Sequence, residues 1–140
     1  LSQIFVVEGV PQALVEGIFE ITENKLLLLI LVNLLLFLVG MIVNDITAII
    51  LLAPLLLPLM SAIEVSPVQF AAIMGVNTAM GGVTPPYASI LYLGARVGNV
   101  KVTKVIPPAM LFLALGYVPV VFLTAFWPDL SLSLPRFFGY

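Results

Sequence analysis

Between Lys25 and Glu64 the chain carries a single charge, Asp45, with an uncharged apolar run on each side, 26–43 and 46–63. A third uncharged run spans 105–128. Each of the first two makes about 27 Å of helix at a rise of ~1.5 Å per residue, barely a bilayer crossing. The runs lack the strict alternation of a membrane strand, so the expected class is an all-α integral membrane protein. Composition agrees: 62% of residues are hydrophobic, 9% are charged, and mean hydropathy is +1.25. No basic patch is present, which excludes a nucleic-acid partner. Without cysteine or histidine, disulfides, thiol chemistry and the usual zinc sites are excluded. No nucleophile–base pair or phosphate loop is visible, so no enzyme activity is expected. Leu1 is not an initiator methionine and the first residues lack a basic signal-peptide region, so the chain reads as a piece of something longer.

The segment Gly81-Gly82-Val83-Thr84-Pro85-Pro86 lies in a fourth apolar stretch. A helix through it would need amide donors at 85 and 86, and proline has none. The carbonyls of Gly81 and Gly82 lose their helical partners. At membrane depth such backbone survives only buried in protein or against a wet cavity, and a broken helix marks ion and substrate sites in secondary transporters.

The chain divides into six segments. Residues 1–25 contain an amphipathic helix over 11–23, with Glu16, Glu20 and Glu23 on one face; it is expected on the membrane surface, or else as a solvated linker. Residues 26–63 form either a re-entrant hairpin or two full spans. The tip 40–45 has no Lys or Arg, which favours the hairpin. Ser66-Pro67-Val68-Gln69 reads as a capping box opening a helix to Met80, within a discontinuous helix 64–98 broken at 81–86. Thr84 is expected to cap a half-helix from Pro85 to about Arg96. Residues 99–104 are a basic loop, 105–128 a span bent by Pro107, Pro108, Gly116 and Pro119, and 129–140 an interfacial tail with Trp127 and Tyr140 as anchors. Arg96, Lys101 and Lys104 put the loop 98–104 in the cytoplasm and residues 1–24 and the C-terminus outside.

The order of Gly40-Met41, Asp45, Ala48-Ile49-Ile50-Leu51-Leu52-Ala53-Pro54, Pro58, Ser66-Pro67-Val68-Gln69-Phe70, Asn77, Gly81–Pro86 and Phe126-Trp127-Pro128-Asp129-Leu130 resembles the C-terminal part of the large membrane subunit of TRAP (tripartite ATP-independent periplasmic) transporters, the DctM family. The resemblance covers nearly the whole chain. It implies one half of an inverted-repeat elevator transporter: re-entrant hairpin, broken helix and terminal scaffold helix. It also implies Na⁺-driven uptake of organic acids such as C4-dicarboxylates or acidic sugars across the inner membrane. The implied partners are the N-terminal half of the large subunit, a small membrane subunit, a periplasmic binding protein and membrane lipid. No second hairpin-and-break unit is present, so the first-repeat half of the site has no counterpart. A pore-forming or structural module, or an inactive truncated permease, is the alternative.

The Gly81 and Gly82 carbonyls and the Thr84 hydroxyl are hard oxygen ligands suited to Na⁺; a simple kink relieved by neighbouring helices is the plainer reading. Asp45 at membrane depth either caps the helix from Ile46, bonding the amides of Thr47 and Ala48, or contacts a cation. Asn77, one turn before the break, either touches substrate and freed carbonyls or joins two helices. Asn33 reads as a helix–helix contact, Arg96 as a topology determinant rather than a substrate clamp, and Tyr87 and Tyr92 as lipid or core contacts. The resemblance sets the tip 40–47 against the break. Gly40, Asn44 and Asp45 thereby join the ion candidates, and Thr47 and Pro85 join Asn77 as substrate candidates. No other cofactor is expected.

Overall fold

A computed structural model of the chain describes residues 24–86 and 88–139. The amphipathic helix expected over 11–23, Tyr87 and Tyr140 lie outside the described residues. Those described form helices joined by short turns, with no strand among them. The elements are α1 (Lys25–Ile42), α2 (Asp45–Ala62), α3 (Pro67–Val83), α4 (Ser89–Val97), α5 (Val102–Phe126) and α6 (Pro128–Phe137). Helices α1, α2 and α5 are long and apolar enough to cross a membrane.

The residues at the ends of α1 and α2 explain the hairpin. The Asn24 side chain accepts from the amides of Leu26 and Leu27 and starts α1. At the tip, Val43 leaves helical geometry and Asn44 accepts from the Ile46 amide, restarting the chain as α2. The cap is therefore Asn44 and not Asp45, which occupies the first helical position and is exposed. A carboxylate there still favours the positive end of the helix dipole. Helix α2 runs through Pro54 and Pro58 without a break. Two residues past its end, the left-handed backbone of Glu64 (φ 60°) lets the Val65 amide reach back to the Met60 carbonyl.

Both arms pack on α3 more than on each other. The buried positions of α1 are Leu28, Leu29, Val32, Asn33, Leu36 and Gly40, one stripe at helical spacing. It meets Leu59 and Met60 of α2 and Phe70, Ile73 and Met74 of α3 in one core. The outward positions of α1, such as Leu31, Leu34 and Leu38, stay exposed, as a surface facing lipid or further helices requires.

Ser66 caps α3 by accepting from the Val68 amide, but the reciprocal half of the expected capping box is absent. Gln69 turns the other way and donates to the carbonyls of Thr124 and Ala125 in α5, at 3.2 and 3.0 Å. The reason lies at the far end of α5. The helical donor for Thr124 would be residue 128, a proline, and the chain breaks at Trp127. Gln69 supplies the missing donors. With Ala125 also in the core, α5 packs against the same core as the hairpin and α3.

Other boundaries differ from expectation. Helix α3 continues three residues past Met80, to Val83. The basic loop is shorter than 99–104, because α5 begins at Val102 and takes in Lys104. Asn99 (φ 51°) makes that turn. The bend in α5 is a π-helical turn, Leu113–Tyr117, in which the Val118 amide bonds the Leu113 carbonyl. It falls immediately before Pro119, whose ring would clash with the Leu115 carbonyl in a regular helix. The tail forms α6, with an exposed Arg136–Asp129 ion pair at 2.7 Å.

Replacing Gln69 with leucine leaves two buried carbonyls without donors. The expected cost is about 1–3 kcal/mol, read as a lower midpoint of thermal unfolding for the complete large subunit in detergent. An unchanged midpoint would show that the Gln69 bonds are dispensable.

Candidate functional site

The end of α1 and the end of α3 meet backbone to backbone. A Cβ placed on Gly81 would lie 2.5 Å from the Gly40 carbonyl carbon and 2.7 Å from its Cα. A Cβ on Gly40 would lie 3.0 Å from the Cα of Thr78. Only glycine fits at this crossing, and both glycines are buried. About two turns toward the start of α1, the buried Asn77 donates to Asn33 Oδ1 at 2.7 Å and to the Ile73 carbonyl at 2.8 Å. Asn33 in turn donates to the Leu29 carbonyl. These contacts fix both the register and the direction of the pair: Asn33 faces Asn77 and Gly40 faces Gly81, so the two helices run the same way and end together.

The consequence is electrostatic. Two helix C-termini lie side by side, each carrying the partial negative charge of its last carbonyls, and neither has a basic residue in its last turn. At α3 the local bonding is partial. The Thr84 amide bonds the Gly81 carbonyl at 2.9 Å, and the Thr84 hydroxyl donates to the Met80 carbonyl at 2.7 Å. Thr84 therefore closes α3 and does not cap the half-helix beyond the break. The Gly81 carbonyl is less free than the proline spacing implies, because a shorter turn replaces the lost helical bond.

The half-helix also starts later than Pro85. Pro85 and Pro86, joined by a cis bond, form a turn, Ala88 takes a left-handed conformation (φ 31°), and α4 begins at Ser89. The Ala88 amide bonds back to the Thr84 carbonyl at 3.2 Å. The Tyr92 hydroxyl donates to the Pro86 carbonyl at 3.0 Å, tying α4 to the break. Tyr92 is thus tied to the break through its hydroxyl. The sequence signal for this is only its place one and a half turns after the prolines.

The structure brings together Gly40, Gly81 and Thr84, all buried, with Gly82 and Pro85 half-buried beside them. Asn44, Asp45 and Thr47 lie exposed at the tip and the start of α2. Among the described residues, none of their side chains hydrogen-bonds to the break. Asn77 is 1% exposed, with its amide nitrogen committed to α1 and to its own helix. In this arrangement its amide nitrogen joins the two helices. Among the described residues no acidic cluster of metal-binding type is present.

A helical hairpin whose tip backs onto a broken helix is an arrangement found at the ion and substrate sites of secondary transporters. The sequence places the chain more closely. The family model described as "Tripartite ATP-independent periplasmic transporter, DctM component" matches residues 1–130. The chain belongs to this family, whose members are transport permeases and not enzymes. It is similar to the sialic acid TRAP transporter large permease protein SiaM of Vibrio cholerae, with 35% identity over 95% of the chain and 31% of that protein. It is also similar to an uncharacterized protein, YgiK, of Salmonella typhimurium (36% identity; 93% of the chain, 30% of that protein). A third relative is the isethionate TRAP transporter permease protein DctMQ of Oleidesulfovibrio alaskensis (33%; 99% and 21%). The chain spans less than a third of the length of these relatives. No solved structure matches it.

Gly81→Ala should lower the stability of the complete large subunit by about 1–3 kcal/mol, because backbone on the far side cannot yield to the new methyl group. Gly75→Ala, whose Cβ would meet nothing within 4 Å, should be neutral or mildly stabilising. Equal unfolding midpoints for the two variants would contradict the close crossing.

Proposed function

We propose that this chain is the half-site of a Na⁺-coupled permease for organic acids, completed by the rest of the large subunit. The observation that carries the reading is the pair of helix C-termini ending together at Gly40–Ile42 and Gly81–Val83, with no basic residue in either last turn. Such a spot attracts a cation. Its oxygens are backbone carbonyls and the Thr84 hydroxyl, the hard ligands that a small alkali cation takes. Gly40 contributes by letting α1 approach, and Asn44 and Asp45 add polar and negative character at the adjacent tip.

The same geometry offers an anion the opposite pole. Helix α4 begins at Ser89 without a side-chain cap, so its positive end is open to an acid. Helix α2 also begins here, but Asp45 sits in its first turn and disfavours an anion. The substrate carboxylate is therefore assigned to the Pro85–Ser89 side, and Thr47 and Asn77 are less suited to it than Pro85 is. The substrates for which the relatives are named, sialic acid, C4-dicarboxylates and isethionate, are all acids. We assign the companion subunits by the same likeness: a small membrane subunit and a periplasmic binding protein. The inner-membrane topology with Arg96, Lys101 and Lys104 toward the cytoplasm belongs to this reading as well.

The test is uptake in proteoliposomes holding the complete large subunit, its small partner and the binding protein. Thr84→Ala removes one hydroxyl, and half-saturation by Na⁺ should rise about tenfold to a hundredfold. Replacing Pro85 and Pro86 together with alanine should impair coupling further, because a continuous helix can reclaim the Gly81 and Gly82 carbonyls. Unchanged Na⁺ dependence in both variants would reduce the break to a kink.

A further inference from the structure

At the opposite end of the bundle from the Gly40–Gly81 crossing, a cavity of about 660 Å³ opens between the start of α1, the end of α5 and α6. Its polar lining includes Lys25, Glu64, Ser66, Gln69 and Arg136, and its apolar wall includes Leu29 and Phe126. A second, smaller cavity continues along the groove between α1 and α5, lined by Ile30, Val121, Phe122 and the uncharged Asn33, and shares Ala125 and Phe126 with the first. The groove thus changes from charged to apolar in the direction that leads from the ends of the spans toward their middle. That gradient matches a lipid molecule, whose head sits at the interface and whose tails run inward.

We propose that this groove holds one phospholipid with a primary-ammonium head, a phosphatidylethanolamine. The charges decide the head. Lys25 and Arg136 are cationic and Glu64 is anionic, while Asp129 already neutralises part of Arg136 through their 2.7 Å ion pair. The lining is close to neutral overall, which suits a zwitterion better than an anionic lipid. Gln69 decides between ammonium types. Both hydrogens of its amide nitrogen are used on the Thr124 and Ala125 carbonyls, so the polar group it retains is the acceptor Oε1. This acceptor and the Glu64 carboxylate, both on the cavity's lining, call for a cation that can donate. A primary ammonium donates three hydrogen bonds, and a trimethylated choline donates none. The phosphate is assigned to Lys25 and Arg136, and one acyl chain to the groove past Phe126 and Phe122.

Lipid occupancy has a structural role consistent with the fold. Residues Leu26 and Phe126 on the groove's edges are exposed, and α1 and α5 touch each other far less than each touches α3. A lipid in the groove would cover apolar surface that these helices do not cover for each other, independently of any ion at the break.

The experiment uses the complete large subunit with its small partner in vesicles containing a phosphatidylethanolamine that carries a photoreactive acyl chain. Labelled peptides are mapped by mass spectrometry. The expected labels fall on 26–30 and 121–126. Unlabelled phosphatidylethanolamine should compete, and phosphatidylglycerol and phosphatidylcholine should compete poorly. Lys25→Gln and Glu64→Gln, both at exposed positions, should each weaken competition about twofold to fivefold. Absence of label in this groove would mean that another helix or a partner protein covers it, and would overturn the proposal. Equal competition by all three lipids, or labelling unaltered in both variants, would overturn the head-group assignment and with it the site.

Discussion

The contact between Gly40 and Gly81 governs the rest of the arrangement. Two helices whose backbones touch at their last turns must end at the same place. Because they run in the same direction, their carbonyl ends add rather than cancel. Larger residues at either position would hold the helices apart, and the shared negative spot would become two separate ones. The Asn33–Asn77 bridge serves this contact from a distance. A buried amide pair in a low-dielectric interior is costly to leave unpaired, so it fixes the sliding register of α1 on α3 and keeps the two glycines opposite each other.

Much of the architecture is legible in the sequence because it rests on local rules. The apolar runs match α1, α2 and α5 to within three residues, and the missing donors of Pro85 and Pro86 locate the break. Ser66 and Pro67 mark the start of α3 correctly. Asn44 and Asp45 announce a helix start, although two adjacent cap-competent residues leave the choice between them to backbone geometry, which selects Asn44. The departures share a cause. Spacing makes Gln69 one half of a local capping box, but its partners are more than fifty residues away in α5. Tyr92 reads as a generic contact, and its hydroxyl instead returns to Pro86. Thr84 reads forward, as a cap for the half-helix beyond the prolines, and it bonds backward to Met80. In each case spacing reveals a polar group and its possible partners, and tertiary packing chooses among them.

The chain meets the same problem twice, and its two solutions differ. At the end of α5, Pro128 removes the helical donor for the Thr124 carbonyl, and a side-chain amide from another helix repairs the loss with well-formed bonds. At the end of α3, Pro85 and Pro86 remove the donors for Gly81 and Gly82. Here repair is local: the amide of Thr84 to Gly81 and its hydroxyl to Met80. No side-chain amide from α1, α2 or α5 reaches Gly81 or Gly82 among the described residues. A protein that needed only to bury a kink had the means to do so, as Gln69 demonstrates. Carbonyl oxygens with local bonding alone, beside a second helix C-terminus and with no basic residue in either last turn, are the basis of the proposed cation site. The contrast between the two proline breaks, more than either break alone, is what supports the proposed ion site at the end of α3.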